Sequence, residues 1–317
     1  MNKKILFSLG IIAALALYLI ISGRNWHSGP DMVWKDSPDE MIITKGESVV
    51  TLQKKDTKWL IGTEAFPADE SSVESILAKM KDLEVVDLVS EKGYLEKYGL
   101  VPEKYTEVQI KKDGAVFRRI HFGKKSPTNR HTFITLDSGK AVYLASGVFD
   151  ALLNKTVDQL RDKTIIKISR DAVSSFKVTY KGRSFVFEKK QAEQAPVEDT
   201  VAKDNDKEEK PKKKEDVWVC RGFEKVALDG KKVGQFLSAL DPLKAAGFPD
   251  MKKEKLGRPS TVVTINAFNA ETELRIYDNN ADKKYVASSS ASPYVFTLDE
   301  WKARKFFIDS LESFKNK

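Results

Sequence analysis

Cysteine is almost absent from this chain: Cys220 is the only one. A single thiol excludes an intramolecular disulfide and a Cys-rich metal site. It also excludes a lipid-bearing cysteine just after the N-terminal apolar segment. Cys220 closes the alternating run Val217-Trp218-Val219-Cys220, so it reads as a small buried hydrophobe rather than a reactive thiol. Histidine is nearly as scarce, with His27, His121 and His131. No HExxH occurs and no two histidines stand at metal-ligand spacing, so no metal site is expected. His121 alternates with Ile120 and Phe122 on a predicted strand, and His131 begins the next one. They read as two partly exposed strand histidines; only a hairpin that brought them together would give an acid–base pair.

Other chemistry is missing too. There is no GxSxG nucleophile turn. Gly123-Lys124-Lys125-Ser126 resembles the tail of a phosphate loop, but Arg118 stands where the loop's first Gly belongs and Pro127 follows. Carboxylates are plentiful, yet no isolated pair stands in an apolar setting that would raise a pKa. No catalytic, cofactor-binding or metal-binding residue is assigned, and no cofactor is expected. Asn154-Lys155-Thr156 has the form of a glycosylation acceptor, and the better reading of Thr156 is a helix cap.

Nor does one sign of charge dominate. The formal net charge of +8 is a dispersed excess, with Lys and Glu interleaved. That pattern solvates a surface, whereas a nucleic-acid binder gathers its charge on one stripe, so no nucleic-acid partner is expected. The basic residues that do group are Arg118-Arg119 with Lys124-Lys125, and Lys252-Lys253 with Lys255 and Arg258. They read as protected strand rims; contact with anionic lipid or glycan is the weaker reading.

What is present is a globular composition, 41% hydrophobic and 32% charged over 317 residues, enough for about two domains. Ile5 to Ile21 are almost wholly apolar and Lys3-Lys4 precede them. A helix of this run spans about 26 Å, the short end of a membrane crossing. Ser22-Gly23-Arg24-Asn25-Trp26 shows no clear cleavage pattern, and Trp26 suits headgroup depth. The expectation is a retained transmembrane anchor over residues 5–22. The positive-inside rule puts the N-terminus in the cytoplasm and the body on the extracytoplasmic side.

The body reads as one module written twice. Lys45-Gly46-Glu47-Ser48 returns as Lys181-Gly182-Arg183-Ser184, 136 positions on. Trp59 returns as Trp218, 159 positions on. The apolar stripe Val73, Ile76, Leu77, Met80 returns as Val233, Phe236, Leu237, Leu240, 160 positions on. Ser71-Ser72-Val73-Glu74 reads as a capping box for the first helix and Asp229 as the cap of the second. Strands follow in each half: Val108 to Ile110, Asp113-Gly114 as a turn, Phe117 to Phe122, Phe133 to Leu136 and Ala141 to Leu144 in the first. In the second they are Val262 to Ile265, Leu274 to Tyr277, Tyr285-Val286 and Tyr294 to Phe296. Thr297-Leu298-Asp299-Glu300 reads as a further capping box, opening a helix that carries Trp301, Ile308 and Leu311. The expected fold class is α+β: two tandem repeats of a small mixed module, mainly antiparallel sheet with packed helices, after one transmembrane helix. A hairpin, a helix and a further small sheet make up each repeat, the first over 34–165 and the second over 166–317. The jump in offset marks an insertion of 23 residues. It falls within 189–216, a nearly apolar-free charged stretch expected to be a disordered hairpin loop inside the second repeat, not a linker.

Lys58-Trp59, Pro67-Ala68-Asp69, Tyr98-Gly99-Leu100 with Pro102, Phe122-Gly123 with Ser126-Pro127, Val142-Tyr143-Leu144 and Leu160-Arg161-Asp162-Lys163 stand in an order that resembles the bacterial family named domain of unknown function 4340. One departure is His131-Thr132-Phe133, where similar proteins carry a Tyr. The resemblance implies a membrane-anchored extracytoplasmic protein, an accessory beside components of an ABC-type transport or gliding-motility system. It carries over no catalytic residues. The leading expectation is therefore a non-enzymatic binding protein with a protein partner in a membrane complex. The alternative is an extracytoplasmic hydrolase of envelope polymers. No small-molecule ligand is identified.

Overall fold

In a computed structural model of the chain, residues 12–18, 34, 37–137, 139–191, 216–279 and 284–315 are described. Most of the expected anchor, 5–22, lies outside them, as do Lys3, Lys4, Trp26 and His27. Residues 12–18 are helical and exposed. Among the described residues, no helix is long and apolar enough to cross a membrane. The chain divides into two units, Met1–Asp162 and Lys163–Lys317. Both are mixed α/β with antiparallel sheets.

In the first unit, β1 (Glu40–Lys45) and β2 (Ser48–Lys55) form a hairpin and β3 (Lys58–Ile61) continues it, followed by the two-residue β4 (Phe66–Pro67). Their alternation buries Met41, Ile43, Val50, Leu52, Trp59 and Ile61 on one face. Helix α1 (Glu70–Lys81) covers that face with Val73, Ile76 and Met80. Its cap is Asp69, whose side chain accepts the Ser72 N–H at 2.8 Å. The expected box Ser71-Glu74 is thus corrected: the helix starts earlier, and Ser71 already lies inside it. Glu70 faces back and accepts the Trp59 N–H at 2.8 Å.

The chain then runs through β5 (Val85–Ser90), β6 (Thr106–Lys112), β7 (Ala115–Lys125), β8 (His131–Leu136) and β9 (Val142–Ser146). The sheet order is β4-β3-β2-β1-β6-β7-β8-β9-β5. Because β1 pairs with β6, the leading hairpin and the later strands make one sheet, not the hairpin and separate small sheet expected. Pairing there satisfies a row of backbone groups that an edge would leave open. A loop containing a short 3-10 turn, Leu95–Tyr98, crosses β7 on the other face. A Cβ on Gly123 would lie 2.4 Å from the Tyr98 carbonyl oxygen and 2.9 Å from Leu100 Cγ. Gly123 is therefore a strand residue kept bare for that crossing, which accounts for the glycine in the phosphate-loop-like stretch. At the end of the unit, Thr156 caps a helical turn by accepting the Gln159 N–H. The Asp69 N–H donates to the Leu160 carbonyl at 2.7 Å.

In the second unit, β10 (Thr164–Ile166) pairs with β14 (Leu243–Lys244). Residues 163–165, assigned to the first repeat from sequence, therefore belong to the second unit. The main sheet contains β11 (Val173–Tyr180), β12 (Arg183–Gln191), β13 (Asp216–Cys220), β15 (Thr261–Ala267), β16 (Ala270–Asn279), β17 (Lys284–Ser289) and β18 (Phe296–Asp299). Its order is β13-β12-β11-β15-β16-β17-β18. Helix α2 (Gly230–Ser238) packs Val233, Phe236 and Leu237 into the core. There Phe176 stacks on Phe187 at 4.4 Å and on Phe236 at 4.9 Å. Asp229 caps α2, accepting the Lys231 N–H at 2.8 Å, and its own N–H donates to the Phe314 carbonyl at 2.7 Å.

Two expectations are corrected here. Thr297 lies in β18 and its hydroxyl donates to the Gly247 carbonyl, so it caps nothing. The single closing helix is instead three short turns, Glu300–Ala303, Arg304–Phe306 and Leu311–Phe314, with Trp301 exposed. Residues 192–215, most of the expected charged loop, lie outside the described residues. Gln191 and Asp216 on either side are register partners, so the segment joins two neighbouring strands of one sheet.

Candidate functional site

On the face of β6, β7 and β8 away from the core, polar side chains alternate with buried apolar ones. His121 on β7 stands opposite Thr135 on β8 and Glu107 on β6. Its Nε2 lies 2.8 Å from a Glu107 oxygen and its Nδ1 3.0 Å from the Thr135 hydroxyl. Tyr105 stacks on the ring at 4.3 Å. Gln109 donates to the other Glu107 oxygen, and Arg119 Nε lies 3.7 Å from the one that faces His121. Burial works to raise the Glu107 pKa, but the Gln109 and His121 hydrogen bonds and the nearby positive charge outweigh it and hold the carboxyl below its ordinary value. Burial, then the Glu107 charge, push the Tyr105 hydroxyl up. Both ring nitrogens of His121 are engaged, so this cluster is closed upon itself.

His131 is not part of it. It lies four residues before Thr135 on β8, opposite Ser146, about 13 Å along the strand from the level of His121. The structure does not bring the two histidines together.

The second unit carries a polar cluster at the same place in its strand order. Arg275 on β16 stands opposite Ser288 on β17. Beside them is a hollow of about 230 Å³, lined by Lys253, Glu273, Arg275, Tyr277, Ser288 and Ser290 among others. Lys253 arrives from a short turn, Lys253–Lys255, in the loop between β14 and β15. Its ammonium donates to the Ser289 carbonyl at 2.6 Å and to that of Ser292. Burial, then the Arg275 charge, push its pKa down. Arg275 is paired with Glu273, which keeps the guanidinium firmly charged. The Tyr277 and Ser288 hydroxyls are 3.2 Å apart, and the Ser290 hydroxyl accepts the Glu273 N–H at 2.9 Å.

From sequence, Lys253 stood only in a basic run and Arg275 and Tyr277 only in a strand. The available signal was that Glu273, Arg275 and Tyr277 occupy every second position between core residues Leu274 and Ile276. The other basic groups differ: Arg118 meets Asp137 and Lys125 meets Asp150, each at 3.3 Å. A larger, more apolar groove of about 550 Å³ runs beside α2, with Phe236, Ile308 and Phe314 flanked by Lys232 and Lys305. Cys220 is buried, and burial raises its thiol pKa. Among the described residues, no group of three or more His, Cys, Asp or Glu could hold a metal ion.

Compared with known proteins, residues 59–217 match the model of a family described as domain of unknown function (DUF4340). No curated protein and no solved structure matches the chain.

Proposed function

This chain belongs to the DUF4340 family, and from that premise we propose that it is a membrane-anchored binding protein built from two copies of one module. The observation that carries the duplication is a shared wiring. Strands β3-β2-β1-β6-β7-β8-β9 of the first unit and β13-β12-β11-β15-β16-β17-β18 of the second follow the same order. In each, a helix follows in the chain after the first strand of that path, α1 after β3 and the two-residue β4, and α2 after β13. In each, the capping aspartate donates its N–H to a carbonyl near the end of the unit, Leu160 or Phe314. Trp59 stands opposite Lys54, and Trp218 opposite Lys189. By this register Lys54 and Lys189 are 135 positions apart and the tryptophans 159, so the insertion is 24 residues. That is one more than the KGxS spacing implies. The reason is that Lys45–Ser48 and Tyr180–Arg183 close the two hairpins, so the KGxS glycines occupy different turn positions.

The anchor reading rests on the apolar run over 5–22 and on residues 12–18, whose side chains Ile12, Leu15, Leu17 and Tyr18 are exposed. Lipid is the solvent such a surface fits. On this reading the N-terminus is cytoplasmic and both modules lie on the extracytoplasmic side, where they bind a protein of an ABC-type transport or envelope complex. No cofactor is part of the proposal. The hydrolase alternative has lost its histidine pair, and no specific observation favours it.

A reporter fused after Lys317 tests the topology. Alkaline phosphatase activity in intact cells is expected, and a fusion active only in the cytosol would refute it. Crosslinking followed by pull-down from membranes tests the partner. A membrane protein enriched over an anchor-only control is expected; recovery at background would count against the binding role.

A further inference from the structure

We infer that the hollow beside β16 and β17 in the second unit is a binding site for a singly charged oxyanion, a carboxylate or a phosphodiester group of a larger molecule. This goes beyond the reading as a membrane-anchored binding protein and depends on neither the anchor nor a protein partner.

Lys253 and Arg275 bring two positive charges to the hollow and Glu273 brings one negative charge. Glu254, next along the loop, is exposed, and so are its neighbours Lys252 and Lys255. Among the described residues, only the exposed Glu254 stands against the second positive charge, and partly buried charge is costly without a close partner. A monoanion supplies it, while Glu273 disfavours a second negative charge.

An ammonium has three N–H donors, and Lys253 commits to two carbonyls, of Ser289 and Ser292. Those carbonyls fix the amine in place and leave a third donor to an incoming ligand. The Ser290 hydroxyl accepts from Glu273 and so retains its own proton to donate. In the Tyr277–Ser288 pair one hydroxyl donates to the other, which leaves the accepting group's proton available. Tyr277 and Ser288 sit on the sheet, and Lys253 and Ser290 are tied to it through the Ser289 carbonyl and the Glu273 N–H, so binding costs little reordering. Whole-ligand pockets run from about 300 to 1,000 Å³. At about 230 Å³ this hollow suits one ionic group, with the rest of the molecule lying outside.

The first unit fills the corresponding place differently. There the cation-capable side chain at the same place, His121, has a carboxylate from the neighbouring strand on one side and a hydroxyl on the other. At the position of β15 that faces Arg275 stands Val262, which brings no carboxylate.

The test uses the full chain in detergent micelles at constant ionic strength. The probes are acetate and dimethyl phosphate, with sulfate as the dianion. An amine-reactive ester labels the lysines, and mass spectrometry reads the rate at Lys253 and at Lys305, which lies outside the hollow. Either monoanion is expected to slow labelling of Lys253 about fivefold or more at saturation without slowing Lys305. The one that acts at lower concentration identifies the oxyanion. Arg275→Gln should abolish the protection. Should that variant fail to fold, Tyr277→Phe keeps the shape and should raise the concentration needed by about fivefold, one hydrogen bond's worth. Three results would overturn the inference: no protection of Lys253 by either monoanion, equal protection of Lys305, or sulfate outperforming both.

Discussion

The two units place a polar cluster at the same point of the same strand order and treat it in opposite ways. In the first, His121 is satisfied from within, by Glu107 on one side and Thr135 on the other, under the Tyr105 ring. In the second, Arg275 pairs with Glu273, Lys253 is held by two backbone carbonyls, and both cations border an open hollow. The difference turns largely on which neighbouring strand supplies a carboxylate. Glu107 comes from β6, across from His121, while Glu273 comes from the same strand as Arg275. The same strand order thus carries a closed network in one unit and an open, charged hollow in the other, according to the side chains on its outer face.

The largest expected asymmetry lies in the cores. Phe176 sits at the centre of a stack with Phe187 and Phe236. Phe176→Ala should cost the second unit about 3–5 kcal/mol. Hydrogen exchange followed by mass spectrometry should show protection lost over β11–β18 and kept over β1–β9. Equal loss in both would break the picture of two separate cores. Next is the loop. Replacing residues 192–215 with Asn-Gly, a turn suited to a tight hairpin, should stabilise the second unit by about 2 kcal/mol through cheaper loop closure. A lower denaturant midpoint would mean that the segment packs against the module.

Glu107→Gln should cost the first unit about 1.5 kcal/mol at neutral pH, the scale of a charge-assisted hydrogen bond. The pH dependence has a definite sign. The folded pKa lies below the ordinary glutamate value of 4.5. The stabilisation is therefore whole above that value and is lost as pH falls through the lower folded one. Wild type and variant should converge in acid, and urea midpoints over a pH series would read this. A constant gap would show that Glu107 acts by packing alone. The smallest effects sharpen the likeness of the units. Asp69→Ala and Asp229→Ala each remove a helix cap and should each cost about 1 kcal/mol in thermal unfolding. A large disparity would show that the two caps are not equivalent.

Much of the fold was legible because its signals are local. The Asp113-Gly114 turn, the Trp59 strand, the inward face of α1, and the Asp229 and Thr156 caps each involve residues within a few positions of one another. The failures have local causes as well. Ser71 and Thr297 have cap chemistry, but Asp69 is a better-placed cap and Thr297 is held in β18. The joining of β1 to β6 was not legible. Residues 46–105 intervene, and alternation reports a strand's faces without naming its neighbour. For the same reason a pair of strand histidines looked worth testing, and the register set them apart.

The order of the residues alone determined the apolar run, the periods that make strands and helices, the place of the charged stretch and the family. Periodicity and turn chemistry act over a few residues, so one dimension suffices to read them. Tertiary structure alone decided that Glu107 meets His121 and that Lys253 reaches Arg275. Those meetings depend on which strands lie side by side, and that order is set by burying each sheet's apolar face in its own core.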